Sequence, residues 1–464
     1  MIAQLVSRPL RRRALGLALA TASFTVPGLA QPASPESPSL SSAPAPSPAR
    51  ALLASLPSEG LRALGSDVLA RNPQIARARH QAAAAAARAP QVAALPDPVA
   101  ALSLFLLPPE TRTGPQRLTL SLQQKLPWFG KLRLRERAAL AQAAALEHDI
   151  EALRLDLLTK VRRLNHELAF LAASERIVEG ERITLARYEQ AAQARYAAGT
   201  GLQQESVRIQ AQITQIDTRL LEIREQHGAR LAHLNALRDR PAGTLVTTPP
   251  ESPSTSHLTA TGLASLARLK RPEMTALAAR LAAADAHLEL ATKNRQPDLD
   301  LGLSYRVVEK RRDRPGRLMP PPDNGDDVLA LSGAVALPVW RHKLTAEVAE
   351  SQSRRSALEA ERRALEAEID RALGDWTTRL PLLEQHLELL DGVLLKQARE
   401  ALRSAESAYS LGHLNAIDLL DAEVVLFEVR IAAERTRTDL ANGWAELERA
   451  VAAPASDFLR EVSP

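Results

Sequence analysis

Apolar side chains recur at strict sevens through Ile150, Leu157, Leu164, Leu171, Val178 and Leu185, in a stretch without proline. A seven-residue apolar period held that long means left-handed coiled-coil packing, not a helix laid on a globular core. From Lys131 to Ala198 the chain counts 68 residues, roughly 100 Å of helix at 1.5 Å per residue. Ordinary globular helices stop far sooner. A second seam, Leu358, Leu365 and Ala372, then Leu380, Leu387 and Leu394, slips by one residue beside Pro381. Aromatics make up only 3% of the chain, which fits long, narrow helical packing.

The second seam is one part of a tandem duplication. Asn72-Pro73 recurs as Arg271-Pro272, Pro96-Asp97 as Pro297-Asp298, and Leu126-Pro127 as Leu337-Pro338. Glu179-Gly180 recurs as Asp391-Gly392, and Tyr196-Ala197-Ala198-Gly199 as Tyr409-Ser410-Leu411-Gly412. The offsets climb through 199, 201, 211, 212 and 213, so order is kept while one loop grows. The repeats span 58–240 and 263–453. A linker rich in Pro, Thr and Ser fills 241–262, and a short tail follows at 454–464. Each repeat reads helix, strand, strand, long helix, turn, helix. Helices expected at 66–92 and 202–238 total 64 residues, close to the 68 of the long one. In the second repeat, 262–295 and 414–452 total 73, against 72 for 340–411. Two short helices end to end thus match one long partner.

Residues 1–30 have the layout of a secretory signal peptide: Arg8, Arg11, Arg12 and Arg13, an apolar run from Ala14 to Val26, then Gly28-Leu29-Ala30. A Pro/Ser-rich linker follows at 31–57. The net charge of +5 includes the four leader arginines, with no acid before Glu36, so the exported part carries 5 − 4 = +1. The pI of about 9.7 therefore does not point to nucleic acid. Zero cysteines exclude disulfides, thiolate metal sites, thiol nucleophiles and an N-terminal lipid anchor. After the leader no run of about eighteen apolar residues remains, so only a β-barrel could carry the chain through a bilayer.

Four segments have that character. Leu118, Leu120 and Leu122 alternate with Thr119, Ser121 and Gln123. Leu299, Leu301, Leu303, Tyr305 and Val307 alternate with Asp300, Gly302, Ser304 and Arg306. Segments 99–106 and 328–337 complete the set and are more uniformly apolar. Four strands close no barrel, since about eight are needed, but three copies supply twelve. The fold class expected is mainly α with β: a long helical coiled-coil barrel continuing a β-barrel shared between chains, which three copies would make trimeric and 12-stranded. The 309–327 link, charged and proline-rich, reads as a loop on the outer side.

With the paired Tyr-x-x-Gly turns and Leu126-Pro127-Trp128-Phe129-Gly130-Lys131, the chain resembles the outer-membrane efflux protein (TolC-like) family over about 61–453. The resemblance implies a homotrimer in the outer membrane that extends into the periplasm, docks on a periplasmic adaptor and an inner-membrane pump, and conducts passively. The Trp-Phe-Gly-Lys exit is most similar to the heavy-metal efflux branch, with organic-compound export as the alternative.

The resemblance also implies site residues. Asp418 and Asp421 fall on the acidic pair that lines the periplasmic constriction. Tyr196, Gly199, Tyr409 and Gly412 mark the tip turns, and Glu205 takes the place of an acid that ties neighbouring tip helices together. Leu414 departs from the arginine of the family prototype, and Gln204 from its threonine. At i, i+3 the two aspartates share a helix face, so threefold symmetry would gather six carboxylates. Asn415 and Asp418 equally suit a capping pair for the last helix. His227 with His233, and His148 with His166, lack the spacing of a helical metal pair and read as surface residues, as does His413 in the turn. No cofactor, metal or catalytic constellation stands out. Two rival readings, a periplasmic adaptor and a structural coiled-coil envelope protein, do not call for duplicated strand pairs.

Overall fold

The computed structural model describes residues 47–246 and 260–461. The leader expected over 1–30 and most of the linker after it lie outside the described residues. The first repeat runs α1 (Pro48–Ser55), α2 (Glu59–Arg71), α3 (Pro73–Ala93), β1 (Val99–Leu104), β2 (Gln116–Leu126), α4 (Lys131–Ala197) and α5 (Gln203–Leu237). The second runs α6 (Ala260–Lys270), α7 (Pro272–Lys293), β3 (Asp298–Val308), α8 (Arg314–Leu318), β4 (Val328–Ala336) and α9 (Arg341–Glu388). A π-helical turn (Leu389–Leu394), α10 (Leu395–Ser410), α11 (Ala416–Val451) and α12 (Ala455–Glu461) complete it.

The element order is the expected one, with local corrections. The helix expected at 66–92 is two helices, because Pro73 has no N–H to continue α2 and Asn72 caps α3 through the Gln74 amide at 2.9 Å. The linker read over 31–57 contains α1, and the tail read over 454–464 contains α12. α1 covers apolar side chains of α4, with Leu52 packed against Leu155 and Leu158, and Phe458 of α12 shares a cluster with Leu263 of α6, Ile369 of α9 and Leu447 of α11. The first strand ends at Leu104 rather than 106.

α4 is the spine. α3 and α5 follow one another along one flank of it, and α7 and α11 along the other. α9 to α10 then flank α7 and α11. The end-to-end joints are tied: the Asn72 amide at the head of α3 donates to the Leu237 carbonyl at the foot of α5, 2.9 Å. In the second repeat Arg449 of α11 reaches Glu273 of α7 at 2.5 Å and Asp156 of α4 at 2.6 Å. Four parallel tracks result, in the lateral order α3/α5, α4, α7/α11, α9/α10. On α4, an inner track, the six heptad residues from Ile150 to Leu185 are all buried. On the edge track only Leu380 of the six in its seam is fully buried.

No break marks the one-residue slip expected beside Pro381: the helix continues through Pro381, and a separate π turn follows around Asp391-Gly392. A π turn accommodates one additional residue without ending the helix. That accounts for the repeat offset rising from 212 at Gly180 to 213 at Tyr196.

The sheet is a four-stranded antiparallel meander in the order β1-β2-β3-β4. Each strand continues one helical track, so strands and helices share a lateral order and leave the same two edges open. The register puts Ala100, Leu122, Leu303 and Leu331 in one row and Leu102, Leu120, Tyr305 and Leu329 in the next. Directly paired residues project to the same face, so this face is apolar. The opposite face carries Thr119, Ser121, Gln123, Lys125, Asp300, Ser304, Arg306 and Ser332. Eleven residues of β2 and of β3, tilted, match an apolar band about 25 Å tall. At the end remote from the helices the two loops are joined, with Gly325 donating to the Thr113 carbonyl at 2.8 Å and Arg112 paired with Asp323 at 2.5 Å. At the helical end Lys131, almost fully buried, donates to Asp298 at 2.8 Å and to the Gln296 carbonyl at 2.9 Å. That contact fixes the corner between the two repeats.

Candidate functional site

The tip turns are built identically in both repeats. Gly199 and Gly412 adopt φ of 72° and 77°, a left-handed conformation that only glycine takes without strain. Thr200 donates to the Arg195 carbonyl and His413 to the Ala408 carbonyl, each at 2.9 Å and again 213 residues apart. These bonds stop α4 and α10 and reverse the chain into α5 and α11.

After the turn the repeats diverge. Asn415 accepts the Ile417 and Asp418 amides at 2.8 and 3.0 Å, capping α11. Leu202, its equivalent, gives α5 no side-chain cap. Half of the expected capping pair is therefore present. Asp418 carries the amide, while its carboxylate, like that of Asp421, makes no hydrogen bond or ion pair among the described residues. Both aspartates are exposed, on the face of α11 opposite Leu419, Leu420 and Glu423. Glu205, the repeat equivalent of Asp418, is instead buried, and one of its carboxylate oxygens has no partner. Asp421 corresponds to Arg208, so the acidic pair belongs to the second repeat alone. Tyr409 is buried with its hydroxyl unpaired, whereas its equivalent Tyr196 is half exposed.

Sequence reasoning missed Arg195. It donates to the Tyr409 carbonyl at 3.2 Å and lies 4.7 Å over the Tyr409 ring, joining the two tips. Its place beside Tyr196 was the available signal. Leu414 packs against the apolar tip core with Leu419 and Leu420. His413 is exposed, as expected. His166 is not on the surface: it is buried, with Nδ1 2.9 Å from Asn442 Oδ1.

Below the tip a second polar group lies inside the seam. Glu181 of α4 and Glu423 of α11 are both buried. Tyr188 donates to Glu406 at 2.8 Å and lies 3.4 Å from Glu423. Burial first, then the hydrogen bond and charge of Glu423, push the Glu181 carboxyl up to about 9, against a smaller opposing pull from Arg430. Among the described residues no group of three or more ligating side chains could hold a metal, and no helix is long and apolar enough to cross a membrane.

Residues 263–453 match the family described as outer membrane efflux protein. No curated protein sequence matches the chain. Among solved structures it is similar to the outer membrane protein VceC of Vibrio cholerae, at 21% identity and a TM-score of 0.70, over 85% of this chain and 96% of that one. A membrane protein of Pseudomonas aeruginosa superposes with a TM-score of 0.72 at 19% identity, over 85% and 93%. The open state of the MtrE outer membrane channel of Neisseria gonorrhoeae gives 0.67 at 19%, over 85% and 89%. At these identities the likeness is one of fold.

Proposed function

We propose, from the match of residues 263–453 to the outer membrane efflux protein family, that three copies close side by side into the outer-membrane channel of a tripartite efflux system. The observation that carries this is the shared lateral order of strands and helical tracks, with both layers open at the same two edges. Four strands cannot close alone, and unpaired strand edges are prohibitive in lipid. One rotation that pairs β4 with the neighbour's β1 also sets α9/α10 beside the neighbour's α3/α5. The apolar sheet face then meets lipid and the polar face lines a lumen that continues between the helices into the periplasm.

The protein conducts passively and takes its cargo at the tip from a periplasmic adaptor and an inner-membrane pump. Asp418 and Asp421 of three copies line the narrow end. Six carboxylates at close range repel one another and favour cations. That ring and the Trp128-Phe129-Gly130-Lys131 exit favour metal cations as cargo over organic compounds.

Conductance in planar bilayers tests the reading. Replacing Asp418 and Asp421 by Asn should reduce cation selectivity and block by divalent cations together, with trimer stability unchanged. Persistent block combined with a loosened trimer would make the aspartates packing contacts and place the gate elsewhere.

A further inference from the structure

Three residues after Leu171, Val178 and Leu185, a parallel line of polar side chains runs along α4: Ser174, Glu181 and Tyr188. These are seam positions, which a coiled coil ordinarily fills with apolar groups. Ser174 and Glu181 are buried, and Ser174 Oγ and Glu181 Oε2 find no hydrogen-bond partner. Facing Glu181 across the α4/α11 seam, within hydrogen-bonding reach, is Glu423, which is 3% exposed. Two ionised carboxylates cannot share so dry a place, whereas one proton between them turns repulsion into a hydrogen bond.

The surrounding groups leave that role to the pair itself. Tyr188 on α4 has a single hydroxyl proton, and the 2.8 Å contact directs it to Glu406 of α10 rather than to Glu423 at 3.4 Å. Burial, then the Glu406 bond and the neighbouring carboxylates, hold that hydroxyl protonated well above its ordinary range. Arg430 on α11 faces the pair as a charge only. On the α5 side, Arg219 stacks over Phe427 at 5.1 Å.

We propose that Glu181 and Glu423 share one proton, and that this proton latches α4 to α11 in the half of the helical wall nearest the tip. With the proton in place the seam carries one negative charge, opposed by Arg430. Its loss to solvent leaves two facing carboxylates, which separate the helices and admit water. The direction of the effect follows from the raised Glu181 carboxyl. The latch is strongest below the ordinary carboxyl value of 4.5 and is lost as pH rises through about 9.

The test uses the full exported chain in detergent and does not depend on the channel reading. Backbone hydrogen exchange, corrected for intrinsic rate, is followed over 178–188 and 419–427 from neutral pH upward. Protection should fall several-fold with a midpoint near pH 9, while segments around Leu157 and Leu447 stay protected. Glu181→Gln keeps a donor towards Glu423 and should hold protection flat over the same range, and so should Glu423→Gln, the second variant in case the first fails to fold. The infrared C=O band of a protonated carboxyl should titrate away in the parent chain alone. A flat parent profile, or an unchanged step in both Gln variants, overturns the latch. Absent conductance with the step intact overturns only the channel.

Discussion

Leu303 and Ser304 are neighbours at the middle of β3, an inner strand, and they project to opposite faces of the sheet. Leu303 shares its row with Leu122 and Leu331, and Ser304 shares its own with Ser121 and Ala330. If the apolar face meets lipid, Leu303→Arg places a charge near the bilayer midplane, at a cost of roughly 2–4 kcal/mol per copy. Each 1.4 kcal/mol is tenfold in an equilibrium constant, so the folded-to-unfolded ratio should fall roughly 30- to 1,000-fold per site, and three copies compound the loss. Ser304→Arg adds a charge to a face that already carries Arg306 and Lys125. It should change stability by no more than about 0.5 kcal/mol and act on ion selectivity instead. The assay is the amount of heat-modifiable, folded protein recovered from the outer membrane. Equal loss from both variants, or a greater loss from Ser304→Arg, would refute the assignment of the faces.

Two further outcomes follow from the joints and the loops. Burial alone would raise the Glu273 carboxyl, but the Arg271 hydrogen bond and the Arg449 charge hold it down at about 2. Its stabilisation is therefore present above the ordinary carboxyl value and lost as pH falls towards 2, with a size of roughly 3 kcal/mol. Thermal melting in detergent should show that acid-side loss, and Glu273→Gln should lower the neutral-pH melting temperature and flatten the acid limb; a variant whose profile parallels the parent removes the joint from the account. Separately, an epitope inserted between Pro321 and Pro322 should be labelled on intact cells, and labelling only after outer-membrane rupture would reverse the topology.

Much of this fold is legible locally because its periods are local. The sevens along α4, the alternation in β2 and β3, and the repeated Tyr-x-x-Gly turns each report which face of an element is apolar. What a face packs against is not local, and the misses follow that division. Leu365 and Leu387 have the period of core residues yet sit half-buried, because α9 is an edge track in the single chain. α1 and α12 lie in segments whose composition reads as linker and tail, and only the long helices beneath them make Leu52 and Phe458 core residues. The π turn leaves no mark in composition, although the offset rising by one between Gly392 and Tyr409 reported the extra residue. At the tip, the acidic pair and the glycines could be read, whereas the Arg195 contact with Tyr409 joins residues 214 apart. Glu181 was visible as a carboxylate between Val178 and Leu185, but its partner in α11 was not.

The central claim is that one chain supplies a third of a closed barrel, and the mass of the native assembly in detergent tests it most directly. Protein extracted from the outer membrane and measured by native mass spectrometry should weigh three times the single chain and stay a trimer on dilution. A folded, stable monomer with all four strands intact would contradict it.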